Sequence, residues 1–421
     1  MAVERTRSSS WIFLLLVLHL TIYWFSAVRI RRYSKENRNQ FRNRKSRDRM
    51  STAFTSVIKG TNDVMVFSAS GTDSDIKIVS IVDMDAPPRS FMCVTWSEDK
   101  LNTRTNATLL LCPESHGLRF TAAIFSCKVP NTRMPHAVSL VTEDCEKPVN
   151  VLPVIYNSNI ERTFTVCVSP LHSVYSKAYQ LVEMIEFSSI LGADHFFFYN
   201  YSTNWNVDIV LKHYESIGLV SVVQWNLPMT KNRTDEPDIH YYGQLAMLND
   251  CLNRNRGASR YVVFQDLDEI IIPQNHKSWH NLLDSLPANM SSYMFRSAFF
   301  RLDWPDARTN SNVSKMAKSY KAYAFLKRFR ENEIYGRATR SKYIVDPLQV
   351  EVVGIHNVWK FKQGGRPFYV PPEVALVHHY RTNERKTGRV KDDSVLNFQN
   401  VLTKIKETWR SLGDTPFGPV H

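Results

Sequence analysis

What this 421-residue chain lacks narrows its chemistry before any residue is assigned a role. It has no Gly-x-Gly-x-x-Gly and no Walker-type phosphate loop, which sets aside the glycine-finger dinucleotide enzymes and the P-loop nucleotidases. No Cys-x-x-Cys pair and no His-rich tract occurs, so no zinc site is expected. No small-residue cleavage site follows the apolar segment near the amino terminus, so a cleaved signal peptide is not expected. Excess charge is also missing from the body of the chain. The net charge is +13, but residues 1–50 hold twelve Lys and Arg against three acids. What remains is close to neutral, which argues against a nucleic-acid partner despite the high pI.

The most informative stretch is Tyr261-Val-Val-Phe-Gln-Asp266-Leu-Asp268-Glu269-Ile-Ile-Ile-Pro273. An apolar run reads as a buried strand, three acids follow, and the chain returns at once to strand character. In extended backbone alternate side chains share a face, so Asp266 and Asp268 are expected to point the same way. Paired carboxylates repel unless a cation lies between them, and oxygen ligands suit a hard ion such as Mn2+ or Mg2+. An isolated Asp-x-Asp equally caps a helix or decorates a turn. A surface turn seldom sits between two such apolar runs.

Trp11 to Val28 is an uncharged run of 18 residues. At ~1.5 Å per residue it reaches roughly 27 Å, enough for a thin membrane. It reads as a retained anchor. The basic cluster from Arg29 to Arg49 would by itself place that side in the cytosol. Two other features point the opposite way. All six cysteines (Cys93, Cys112, Cys127, Cys145, Cys167, Cys251) lie beyond the anchor, four of them close together as in a disulfide-stapled module. Five Asn-x-Ser/Thr sequons follow, at Asn106, Asn200, Asn232, Asn289 and Asn312. The expected orientation is single-pass type II with a lumenal body.

The expected organisation is a cytoplasmic tail (1–10), a transmembrane signal anchor (11–28), a basic stem (29–60), a β-rich cystine-containing module (61–155) and an α/β domain (160–405). Short β-rich runs at Val64, Ile76, Phe91 and Leu118 predict a small antiparallel sandwich. From Thr163 strand and helix alternate. Phe164–Val168, His195–Tyr199, Leu219–Val223 and Tyr261–Gln265 read as strands; Lys177–Leu191, Val207–Ser216 and Tyr242–Leu252 read as helices. This alternation predicts a mostly parallel, doubly wound sheet with ligands at the carboxyl ends of its strands.

With those elements in place, several collinear segments resemble glycosyltransferase family 92, whose members include metazoan β-1,4-galactosyltransferases. They are Cys167-Val-Ser-Pro-Leu, Leu181-Val-Glu-Met-Ile-Glu-Phe, Leu191-Gly-Ala-Asp-His-Phe, Tyr199-Asn-Tyr-Ser, Gly243-Gln, Asp266-Leu-Asp-Glu, Lys342-Tyr-Ile-Val-Asp-Pro, Gly354-Ile-His and His379-Tyr-Arg381. The resemblance implies a Golgi membrane enzyme with a Rossmann-like catalytic domain of the GT-A fold. It implies inverting transfer of a sugar, with galactose in β-1,4 linkage as the best choice, from a UDP-sugar to a glycan acceptor. In that frame Asp266, Asp268 and His379 hold Mn2+ or Mg2+, with His378 and His356 as rivals to His379. Tyr199, Asn200 and Ser202 receive the nucleoside, Asp266 approaches the ribose, and Lys342 and Arg381 clamp the phosphates. A homodimer is left open.

Inversion needs a base for the acceptor hydroxyl. Asp303, beside Trp304, is the first candidate, with Glu269 and Glu333 as alternatives. Readings from other classes are a cell-surface lectin or adhesion protein, a catalytically inactive relative, and a lumenal nucleotidase. The first would need neither the βα alternation nor the diacid turn.

Overall fold

The computed structural model describes residues 53–419 apart from 73, 98–102, 130–133, 144–146, 230–235 and 309–310. The anchor expected at 11–28 and the stem up to residue 52 lie outside the described residues. Among the described residues no helix is long and apolar enough to cross a membrane.

The chain opens with eight strands: β1 (Thr55–Ser56), β2 (Val64–Gly71), β3 (Asp75–Asp83), β4 (Phe91–Trp96), β5 (Thr103–Leu111), β6 (Phe120–Lys128), β7 (Ala137–Thr142) and β8 (Leu152–Ile155). Their order is β1-β2-β3-β6-β5-β4-β7-β8, and β8 returns to pair with β2 through Ala69↔Val154 and Ser70↔Ile155. The module is therefore a closed barrel rather than the expected sandwich. β2 shows why closure is favoured. Val64, Val66 and Ala69 pack inside the barrel, while Met65 and Phe67 pack outside it against the rest of the protein. A strand buried on both faces reads as a continuous apolar run.

The second part runs β9 (Arg162–Leu171), α1 (Ala178–Leu191), β10 (His195–Asn200), α2 (Trp205–Ser216), β11 (Val220–Gln224), α3 (Gln244–Arg254), β12 (Ser259–Gln265) and β13 (Glu269–Pro273). It continues through α4 (Trp279–Asp284), β14 (Ser292–Phe295), β15 (Ser297–Arg301), α5 (Ser311–Ser319), α6 (Tyr323–Leu326), β16 (Phe329–Glu331) and β17 (Lys342–Val345). The last elements are β18 (Val350–Val353), β19 (Val358–Phe361), β20 (Pro367–Val370), β21 (Ala375–Arg381), β22 (Arg389–Lys391) and α7 (Asn400–Ser411).

The main sheet has the order β11-β10-β9-β12-β17-β14-β20. Its first four strands are parallel, and β17 runs antiparallel to β12. This is the doubly wound arrangement, in which the third, second, first and fourth strands of this second part lie side by side. β10 shows the chemistry behind it. Phe196 and Phe198 face one core together with α1, whereas Phe197 and Tyr199 face a second core shared with the barrel. α1 is buried nearly all round and ends at Gly192, whose φ of 115° suits the left-handed cap.

A second sheet, β13-β21-β15-β16-β22, stands beside the first. The disulfides differ from the expected four-cysteine module. Cys93–Cys127 lies in the barrel, Cys167–Cys251 ties β9 to α3, and Cys112 is a buried free thiol. Cys145 is outside the described residues.

Candidate active site

β12 ends at Gln265, and Asp266-Leu267-Asp268 forms the turn that leads into β13, with the Glu269 amide donating to the Asp266 carbonyl at 3.2 Å. The two aspartates thus sit on a turn at the junction of two sheets, not on a single extended strand, and their carboxylates have different partners. Asp266 accepts from Lys342 Nζ at 2.7 Å, from Gln244 Nε2 at 3.3 Å, and from the Ser169 hydroxyl. Asp268 lies 3.2 Å from His379 Nε2.

Glu269 is the hinge of the arrangement. It is 1 % exposed, lies 3.1 Å from Lys342 Nζ and 3.0 Å from His379 Nδ1, and its Oε2 accepts from the Asp266 amide. The register explains the meeting, because Glu269 pairs directly with His379 across β13 and β21. Burial works against the Glu269 charge, but Lys342 and then His379 outweigh it and hold the pKa at about 2. For His379 burial again opposes charge, and Asp268 followed by Glu269 overrides it, raising the pKa to about 10. Lys342 likewise stays charged against burial because Asp266 and Glu269 flank it.

Above this network lies a cavity of about 370 Å3 whose wall includes Ser169, His172, Tyr175, Tyr179, Tyr241, Asp266, Asp268, Tyr380 and Arg381. It opens at the carboxyl ends of β9 and β12, where ligands of such sheets bind. Its mouth is built from strained backbone. Ser173 and Val174 have φ of 56° and 51°, and Tyr241 and Tyr242 have φ of 44° and 55°. A β-branched residue at positive φ is costly, and such strain gathers at ligand clamps. His172 stacks on Tyr242 with 4.0 Å between ring centroids, joining the two strained segments.

The residues expected at the site separate into those brought together and those set apart. Asp266, Asp268, Glu269, Lys342, His379 and Arg381 converge. Lys342 does so from beneath, 2 % exposed and held by two carboxylates, so it supports the turn rather than facing a phosphate. Asp266 accepts from Lys342, Gln244 and Ser169 and still lines the cavity, with its side chain about a quarter exposed. Among the described residues no three His, Cys, Asp or Glu side chains form a closed metal cage.

Tyr199 departs from expectation altogether. It is fully buried and donates to Asp250 at 2.6 Å, in the core shared with the barrel. A residue on the opposite face of β10 from Phe198 turns away from the cavity by strand alternation. Asn200 donates to Thr203 and Ser202 accepts from the Val174 amide, and neither lines the cavity. His378, one residue from His379, points into the core against Phe300, and burial lowers its pKa to about 4. His356 lies near the Ser341 carbonyl.

Each base candidate is paired with a cation. Asp303 is gripped by two nitrogens of Arg301 at 2.8 and 2.6 Å; burial would raise its pKa, but Arg301 pulls it below the usual range. Glu269 is locked between two cations, and Glu333 pairs with Arg385. Ser169, Gln244, His172, Tyr175, Tyr179 and Tyr241 were not assigned roles from sequence. The position of Ser169, third from the carboxyl end of β9, was the available signal, since that end of the strand faces the cavity.

Fold and site together define the class: an α/β protein with a ligand-sized cavity, walled in part by Asp266 and Asp268, at the carboxyl ends of parallel strands. The chain belongs to glycosyltransferase family 92, whose sequence model matches residues 162–415. It is similar to beta-1,4-galactosyltransferase galt-1 of Caenorhabditis elegans, 26% identical over 183 residues covering 40% of this chain and 42% of that one. Glycosyltransferase family 92 protein F13G3.3 of the same organism is 30% identical over 129 residues, covering 29% and 25%. The match thus spans less than half the length of either relative. Among solved structures, glucosyl-3-phosphoglycerate synthase from Mycobacterium tuberculosis, in complex with Mn2+, UDP and its product, overlaps 61% of this chain and 81% of that one. At 13% identity and a TM-score of 0.27, this likeness carries no argument.

Proposed function

We propose that the protein is a metal-dependent glycosyltransferase that moves a hexose from a nucleoside-diphosphate sugar to a hydroxyl of a glycan. The observation that carries the reading is the pair Asp268 and His379. Two ligands of one octahedral cation, each at ~2.1 Å and at right angles, stand about 3.0 Å apart. Asp268 Oδ2 and His379 Nε2 stand 3.2 Å apart, and the Asp268 carboxylate is one-third exposed toward the cavity. Two protein ligands with no closed cage suit Mn2+ or Mg2+, which commonly bind through one or two side chains plus substrate phosphates and water.

When bound there, the cation would neutralise the leaving diphosphate as a Lewis acid. The chain's own residues do the rest. Glu269 fixes the His379 ring from behind, the kind of support that orients metal-binding imidazoles. Lys342, Ser169 and Gln244 hold the Asp266 carboxylate in place. Arg381, at the cavity wall, is placed to meet phosphate oxygens. Tyr175, Tyr179 and Tyr241 offer aromatic faces and hydroxyls to the nucleoside and sugar.

Within this reading the donor is UDP-galactose, the linkage β-1,4 and the outcome inversion, supported by the name of one family relative. The setting is the Golgi lumen behind a type II anchor, supported by two disulfides and the sequons. The test is to incubate the secreted lumenal part with Mn2+ and a panel of UDP-sugars, with and without a glycan acceptor. Sugar transfer above hydrolysis is expected, abolished by EDTA and by Asp268→Ala. Turnover that EDTA and Asp268→Ala leave unchanged contradicts the reading.

A further inference from the structure

We infer that Asn106 and Asn289 carry N-linked glycans and that Asn200, which has the same sequon, carries none. The sequence treats the three alike, as Asn106-Ala-Thr, Asn289-Met-Ser and Asn200-Tyr-Ser. The fold does not. Asn106 lies in β5 with an exposed side chain, and Thr108 of its sequon is exposed on the same strand face. Asn289 is exposed in the connection between α4 and β14. Its φ of 59° places it in the left-handed region that asparagine tolerates in turns.

Asn200 is different in three ways. It ends β10 in parallel register with both Leu171 and Gln224, its carbonyl accepts from the Trp225 amide, and its side-chain amide donates to Thr203 at 2.9 Å. The Ser202 hydroxyl of the same sequon accepts from the Val174 amide, at the strained mouth of the cavity. A glycan on Asn200 would break the Thr203 contact and stand at the end of the sheet where the cavity opens.

Asn289 lies away from that end. β14 runs parallel to β12, since both are antiparallel to β17. Lys342, at the cavity, pairs with Phe295 at the carboxyl end of β14, whereas Ser292, three residues from Asn289, pairs with Val345 at the far end. Asn289 therefore sits near the end of the sheet opposite the cavity. Asn106 belongs to the barrel.

The Cys93–Cys127 and Cys167–Cys251 disulfides belong to the same oxidising compartments in which asparagine glycosylation occurs. The modification needs a lipid-diphosphate-linked oligosaccharide as co-reactant. The Asn amide nitrogen bonds to the anomeric carbon, the bond from that carbon to the diphosphate oxygen breaks, and the lipid diphosphate leaves with the electron pair. The amide proton passes to solvent.

The test expresses the full chain in animal secretory cells, removes N-glycans enzymatically in heavy-oxygen water and maps the converted aspartates by peptide mass spectrometry. The mapping reads no catalytic activity, so it stands or falls separately from the transferase reading. Heavy oxygen is expected at positions 106 and 289 and not at 200. Asn106→Gln and Asn289→Gln should each remove one step in gel mobility, and Asn289→Gln should leave sugar transfer unchanged. Label at position 200, or none at 106 and 289, overturns the inference.

Discussion

His379 Nε2 lies 3.2 Å from the Asp268 carboxylate, while its other ring nitrogen lies 3.0 Å from the buried Glu269. The imidazole thus joins an accessible acid to an inaccessible one, and the two acids should answer differently to substitution.

Glu269→Gln removes the common partner of two buried cations. Breaking a buried pair this way destabilises by ~3–5 kcal/mol. Asp268→Asn, at a partly exposed site, should change stability by less than about 1 kcal/mol and still abolish transfer. Chemical denaturation alongside a transfer assay checks the contrast; equal stability losses would contradict it.

Tyr199→Phe should act on folding and not on the donor. It removes the bond to Asp250, which also accepts from Ser68 of the barrel and from Arg254 at 2.6 Å. Leaving a buried acceptor short of one donor costs about 1–3 kcal/mol. The expected result is a lower unfolding midpoint with an unchanged KM for the nucleotide sugar. A large rise in that KM would restore Tyr199 to the nucleoside site.

The barrel should be inseparable from the rest. Met65 and Phe67 of β2 share one core with Phe197, Tyr199 and Trp225, and Phe67 and Trp225 meet edge-to-face at 4.7 Å. A chain beginning near residue 160 would expose that face and is expected to be insoluble or to lack a cooperative unfolding transition by circular dichroism. A soluble, cooperatively folding fragment would show the barrel to be a spacer.

Glu183 predicts a pH dependence. It is a buried residue of α1 whose carboxylate meets the start of α6, accepting from the Tyr323 and Ala324 amides at 3.2 and 2.8 Å. Burial raises its pKa to about 8, with those two amides pulling the other way. A carboxyl whose folded pKa exceeds its unfolded value stabilises most below the unfolded value, near 4.3, and loses that stability as pH rises through about 8. Between those limits the loss approaches ~1.4 kcal/mol per pH unit. Glu183→Gln should flatten the fall in stability between about pH 5 and pH 8; an unchanged profile would contradict it.

How much of this was legible before the structure follows from which physical signals are local. The run Tyr261–Pro273 announced a strand, an acidic turn and a strand because burial on both sides leaves long apolar stretches. The helices behind β9 and β10 showed through their 3.6-residue period. The barrel's closure was not legible, because β2–β8 pairing joins residues more than eighty positions apart by two bridges. Nor was the fate of neighbours such as Tyr199 and His378. A strand covered on both faces carries no alternation to say which side meets the ligand. Lys342 and Glu269 were visible as charged residues, but their burial against each other depends on the junction of two sheets.

The central claim is that Asp268 and His379 together hold a divalent cation that in turn holds the donor's diphosphate. Titration of Mn2+ into the protein, followed by electron paramagnetic resonance with and without UDP, tests it most directly. The account predicts Mn2+ binding that tightens when UDP is present and is lost in both Asp268→Ala and His379→Ala, with each variant still folded. Mn2+ binding that neither substitution weakens, or that UDP does not affect, would contradict it.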